Sequence, residues 1–216
     1  MRLRRKPWVD TAIHAFDTFV YTRDCPPTEA MQGKWQEAFG RPAPLQVEIG
    51  TGKGDFLAGL AAQHPDWNCL GIEQQQDVLY SAAQKIAAQE LSNVRLAVFD
   101  ASRLEEIFAI GEIDHLYLNF CDPWPKKRHA KRRLTYSSFL ETYRRLLKPD
   151  GLLSFKTDNR PLFDFSLEQF AVARLNLRFV SYDLHAERPE GNILTEYERK
   201  FSARGAKICC AEAVFS

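Results

Sequence analysis

The chain has 216 residues, within the range of one ordinary domain, and 45% apolar against 26% charged residues is the balance of a globular protein. Lys plus Arg (29) nearly cancels Asp plus Glu (28), so bulk charge excludes a polyanion-coating protein and any nucleic-acid footprint must be local. The five cysteines (Cys25, Cys69, Cys121, Cys209, Cys210) make no C-x-x-C pair, which argues against a disulfide framework or zinc knuckle.

Residues 1–44 read as an irregular leading arm, with a basic start (Arg2, Arg4, Arg5, Lys6) and two proline clusters, Cys25-Pro26-Pro27 and Arg41-Pro42-Ala43-Pro44. No apolar leader core follows the basic start and no run approaches membrane-spanning length, so a cytoplasmic protein with reduced thiols is expected. The main domain is expected over 45–216. Leu45–Ile49 is a short buried strand ending in glycines, followed by a helical pattern at Phe56, Leu57, Leu60 and Ala61. Cys69–Ile72 is a second strand, and Val78, Leu79, Ala82, Ala83, Ile86 and Ala87 space like one helix face. Val94–Phe99, His115–Phe120 and Leu152–Phe155 read as three further strands, with helical patterns over Tyr136–Leu147 and Phe163–Leu175. The alternation predicts an α/β fold, a mostly parallel, doubly wound sheet. Arg178–Leu184, Tyr197–Phe201 and Ile208–Phe215 read as strands closing the chain.

Glu48-Ile49-Gly50-Thr51-Gly52-Lys53-Gly54 sits where the first strand turns into a helix. Gly50 and Gly52 let backbone pass close to a ligand, and Glu48 is placed to accept hydrogen bonds from its amino-acid end. A tight turn alone would need such glycines, and a dinucleotide fingerprint would want glycine where Asp55 stands. Glu73 ends the second strand 19 residues past Gly54, where an acid binds ribose hydroxyls, and Asp100 follows the third strand in the same way. An isolated strand-end acid is usually only solvated. Three of them at successive strand ends line one crevice, and such a crevice suits the cationic sulfonium and ammonium of S-adenosylmethionine better than a pyrophosphate.

The fourth strand runs into Asp122-Pro123-Trp124-Pro125, a proline-stiffened turn holding an acid and an aromatic ring. Such a turn suits a planar base, which stacks while the carboxylate reads its polar edge. Six Lys or Arg follow within the eight residues Lys126–Arg133, a strip able to hold phosphates beside that loop. Arg2, Arg4, Arg5 and Lys6 with Trp8 form a candidate second phosphate-contacting arm. Asp158, in Lys156-Thr157-Asp158-Asn159, reads as a helix N-cap, a substrate acceptor, or both.

These strings, together with Thr195-Glu196-Tyr197-Glu198 and the Lys6-Pro7-Trp8 start, resemble the bacterial tRNA (guanine-N7-)-methyltransferases over nearly the whole chain. Asp122-Pro-Trp-Pro-Lys-Lys-Arg-His129 is the most specific of them. The resemblance implies a Rossmann-like class I S-adenosylmethionine-dependent methyltransferase with antiparallel C-terminal strands, forming 7-methylguanosine in the variable loop of tRNA. It implies Glu48, Glu73, Asp100 and Asp122 around the cofactor, and Asp122 as the catalytic carboxylate. It further implies Lys126, Asp158, Thr195, Glu196, Tyr197 and Glu198 as substrate-binding, and Arg128, His129, Lys131, Arg132 and Arg133 as RNA-contacting. No metal or membrane partner is expected, and monomer and homodimer stay open. Methylation of an exocyclic amino group and a non-catalytic RNA-binding module are the alternatives. Cys121 stands where the family pattern has serine, and Gln74-Gln75-Gln76 also departs from that pattern, at the cofactor rim.

Overall fold

Continuous rather than alternating buried runs set the strands of the first of two compact units, Met1–Phe108 and Ala109–Ser216. The computed structural model describes residues 5–187 and 192–215, excluding the side chain of Glu196, so the expected contacts of Arg2, Arg4 and that side chain lie outside the described residues. In the first unit the strands are β1 (Val20–Tyr21), β2 (Leu45–Ile49), β3 (Asn68–Glu73) and β4 (Val94–Val98). They lie in the order β1-β4-β3-β2, every pair parallel. All five residues of β2 and the first five of β3 are buried, as a parallel sheet covered on both faces requires.

The leading segment is more ordered than its prolines suggest. It holds α1 (Val9–Ala12) and α2 (Trp35–Phe39), and Val20–Tyr21 pair in register with Leu96–Ala97. Trp35 is fully buried, donates from Nε1 to the Ile107 carbonyl at 2.9 Å, and meets Tyr21 and Phe108 at ring distances of 5.6 and 5.5 Å. The β-strand crossovers use α3 (Asp55–Gln63) and α4 (Gln76–Ala88), the latter burying Leu79, Ala82, Ala83 and Ile86. After β4 comes only a short 3₁₀ stretch, Ala101–Glu106, in place of a full helix.

The second unit holds β5 (Ile113–Asn119), α5 (Ser137–Leu146), β6 (Leu147–Thr157), α6 (Arg160–Val172), β7 (Leu175–Ser181), α7 (Leu184–Glu187), α8 (Glu196–Ser202) and β8 (Cys209–Phe215). Their order is β5-β6-β8-β7, with β5 and β6 parallel and β8 antiparallel to both its neighbours. Phe155, Phe163 and Phe170 are fully buried and pack ring to ring at 6.1 and 6.4 Å. Two differences from the sequence expectation change how the chain is built. The helix expected to run to Leu175 stops at Val172, because Arg174 turns the chain with φ +56° and frees Leu175 to begin β7. Tyr197–Phe201, expected as a strand, is helical: the Thr195 hydroxyl oxygen accepts from the Glu198 N–H at 2.9 Å and caps α8. Among the described residues no helix is long and apolar enough to cross a membrane.

Candidate active site

In the first unit, β2 delivers Glu48 to the sheet end only 2% exposed. A carboxylate so buried needs donors, and the Thr51 hydroxyl gives one to Oε2 at 2.6 Å. The turn beyond it has φ of +78° at Gly50, +57° at Gly52 and +75° at Gly54, all left-handed. A Cβ on Gly50 would meet nothing within 4 Å, so the space over that turn is open to a ligand. At Gly54 the reason for glycine is packing as well, since a Cβ there would lie 2.8 Å from the Ala82 Cβ on α4.

Glu73 is tied to this turn. Its Oε2 accepts from Gly52 N at 3.2 Å and its Oε1 from Gln75 N at 2.9 Å. Asp100 caps the Ala101–Glu106 turn, accepting from both N and Oγ of Ser102 at 2.8 Å, while Gln74 Nε2 donates to its other oxygen at 3.0 Å. Gln74 thus joins the ends of β3 and β4, a role not visible in the glutamine run itself. Gln76 is buried and holds the leading segment, accepting from Arg23 N at 2.8 Å and donating to Asp10 at 2.9 Å. A cleft of about 540 Å³ opens beside Asp100, walled by Gln74, Phe99 and Arg103 and, from the leading segment, by Arg23 and the Pro26–Ala30 stretch. The first unit therefore has Glu48, Glu73 and Asp100 at or just past the ends of three neighbouring parallel strands, with Glu73 bonded to the glycine turn at Gly52. Three carboxylates over an open glycine turn fit a cationic ligand such as S-adenosylmethionine.

In the second unit, β5 ends at Asn119 and the chain turns sharply. Phe120 has φ +51° and Trp124 φ +41°, both in the left-handed region that non-glycine residues rarely enter. Asp122, between them, is exposed. Cys121 is half-buried, and desolvation of its thiol, then the neighbouring Asp122 charge, push its pKa up to about 12. The basic run forms a 3₁₀ turn over Lys127–Arg132 with two kinds of residue. Lys126, Lys127, Arg128, Lys131 and Arg132 are exposed, and Arg133 is half-buried. Arg132 lies over the Trp124 ring at 4.9 Å, His129 meets that ring edge-on at 5.8 Å, and Arg133 donates to the carbonyls of Pro123 and Trp124.

The C-terminal segment reaches the same loop through Phe120, whose ring lies 5.0 Å from Tyr197. Tyr197 stacks in turn on Phe201 at 4.2 Å and donates its hydroxyl to Asp158 Oδ2 at 3.2 Å. Burial, then the Asp158 charge and hydrogen bond, push the Tyr197 phenol up to about 12. The N-cap of α6 is Asn159, whose side chain accepts from Leu162 N at 2.9 Å, which leaves Asp158 to Tyr197. Glu198 is fully buried and takes donors from Lys156 (3.2 Å), His185 (2.8 Å) and Asn192 (2.6 Å). Burial pushes its carboxyl up, but Lys156 and these hydrogen bonds outweigh that and hold it below its usual value. The sequence points to no site role for Lys156, His185, Asn192 or Phe120. Lys156 sat in a quoted motif, but only its acid neighbour was read.

The family described as "Putative methyltransferase" matches residues 42–211. The tRNA (guanine-N(7)-)-methyltransferase of Listeria innocua serovar 6a is 49% identical over 215 residues, covering 100% of this chain and 99% of its own. The enzyme of that name from Bacillus subtilis is 48% identical and covers 98% of each chain. This chain belongs to the tRNA (guanine-N7-)-methyltransferase family. Among solved structures, the 16S rRNA methyltransferase KamB aligns with a TM-score of 0.63 at 16% identity, over 85% of this chain and 93% of its own. A mutant 16S rRNA (adenine(1408)-N(1))-methyltransferase from Catenulisporales acidiphilia, solved with its cosubstrate SAM, aligns at 0.59 and 18% identity, over 85% and 90%. These likenesses carry the fold: class I, Rossmann-like, with the antiparallel C-terminal strands seen as β8 and β7. The motifs that resemble the family fall in both units, Glu48, Glu73 and Asp100 in the first and the Asp122 loop in the second.

Proposed function

We propose that this chain transfers a methyl group from S-adenosylmethionine to N7 of a guanine in the variable loop of tRNA. The observation that carries the reading is full-length identity near one half to enzymes of that name, with the Asp122-Pro123-Trp124-Pro125 loop bonded by Arg133 at two of its carbonyls. When bound, the cofactor supplies an electrophilic methyl group on a sulfonium. Glu48, Glu73 and Asp100 with Gly50 and Gly52 hold it. Guanine N7 presents an in-plane lone pair and no proton, so the protein needs no general base and its work is positioning and water exclusion. The methylated base is cationic, and the exposed Asp122 carboxylate favours that charge as it develops. Asp158 and Tyr197, already joined by a hydrogen bond, orient the base with Thr195, Glu196 and Lys126, while the buried Glu198 holds that segment in place. Arg128 and Lys131 take phosphates.

The test is nucleoside analysis by mass spectrometry of unmodified tRNA incubated with the protein and S-adenosylmethionine. 7-Methylguanosine is the expected product. A methylated exocyclic amino group, or no product at all, would overturn the assignment.

A further inference from the structure

Arg133 closes the basic run but does not share its outward face. Its Nε donates to the Pro123 carbonyl and its Nη2 to the Trp124 carbonyl, both at 3.1 Å. The guanidinium lies 4.2 Å from the centre of the Phe165 ring on α6, so the fork is itself held in place. The loop it grips cannot close itself: Pro123 and Pro125 have no N–H to offer a turn carbonyl. Trp124 also keeps a left-handed φ of +41°, a conformation that persists only where the surroundings impose it. A planar fork spanning two successive carbonyls supplies that constraint, and a single ammonium has no equivalent geometry.

We propose that Arg133 is a positioning residue for methyl transfer, latching the acceptor loop through the Pro123 and Trp124 carbonyls instead of binding an RNA phosphate. The inference rests on the function proposed above and separates the basic run into two tasks. Exposed Arg128 and Lys131 meet the polyanion. Arg133, with Nε and Nη2 bonded to two successive loop carbonyls, fixes where Asp122 and Trp124 stand.

Single-turnover methylation and tRNA binding of wild type, Arg133→Ala and Arg133→Lys, each across a salt series, test this. The latch predicts a rate at saturating tRNA lower by about 10²-fold in both variants, as expected for a displaced reacting geometry. It also predicts a salt slope of tRNA binding equal to wild type's and an unchanged affinity for S-adenosylmethionine. A phosphate contact predicts the reverse: a slope smaller by about one, a raised KM with kcat kept, and rescue by lysine. That pattern, or wild-type rates in both variants, would overturn the proposal. Where Arg133→Ala lowers the melting temperature, Arg133→Lys, which keeps charge and most of the volume, decides. Failure of the N7 assignment shows separately, as a different nucleoside made by the wild type, while the salt slopes still report on the latch.

Discussion

Lys156 and Glu198 form a buried ion pair, Nζ to Oε2 at 3.2 Å with side chains 7% and 0% exposed, that ties the end of β6 to α8. Removing one partner leaves the other buried without its counter-ion, Glu198 keeping only His185 and Asn192, and Lys156 keeping Asn192 Oδ1 and the Ile193 carbonyl. Glu198→Gln and Lys156→Met are each expected to lose about 3–5 kcal/mol in urea unfolding, and the double variant less than their sum. Additive losses would show that the pair is not coupled.

The same carboxylate sets a pH dependence. Its folded pKa lies below the usual 4.5, so the stability it adds is complete above that value and is lost as pH falls through the lowered folded one. Wild type is therefore expected to weaken below pH 4.5 more steeply than Glu198→Gln. Parallel curves from urea titrations at each pH would refute it.

Asp122 is exposed and has no competing structural duty in the loop. Asp122→Asn should leave the fold intact and slow single-turnover methylation by roughly 10²–10³-fold, the usual cost of losing one charge-stabilising group. Near-normal rates would remove Asp122 from the chemistry.

Gly54 combines a φ of +75° with a Cβ position 2.8 Å from the Ala82 Cβ. Gly54→Ala is expected to cost about 2–5 kcal/mol in urea unfolding, from backbone strain and overpacking together. Adding Ala82→Gly should recover the packing share alone. Full recovery would mean that φ carries no strain.

Arg128 and Lys131 differ from Arg133 in facing outward. Neutralising both should flatten the log–log salt slope of tRNA binding by about 2, at close to 0.9 per phosphate, with cofactor affinity unchanged. An unaltered slope would take them out of the RNA footprint.

The site was legible where chemistry and spacing coincide. Glu48, Glu73 and Asp100 stand at or just past the ends of strands whose buried runs are plain, and the alternation of those runs with helical patterns gives a parallel sheet but not its strand order. Tyr197–Phe201 was misread because its apolar spacing also suits an edge strand; the deciding signal was Thr195 with Glu198 three residues on, a helix-capping pattern. Lys156 and His185 stayed invisible because a buried charge looks like any surface charge until its partner, here Glu198, is brought in from a distant stretch. Arg133 was hidden by its neighbours, since a run of six cations gives no hint that one of them turns inward.

The pairing of Val20–Tyr21 with Leu96–Ala97 carries a consequence for synthesis. At about 5–20 residues per second, β1 leaves the ribosome roughly 4–15 s before its partner strand does. Through that interval Trp35 has neither the Ile107 carbonyl nor the Phe108 ring to pack against. Folding of the first unit is therefore timed by the emergence of residue 108 rather than by the strand that starts it.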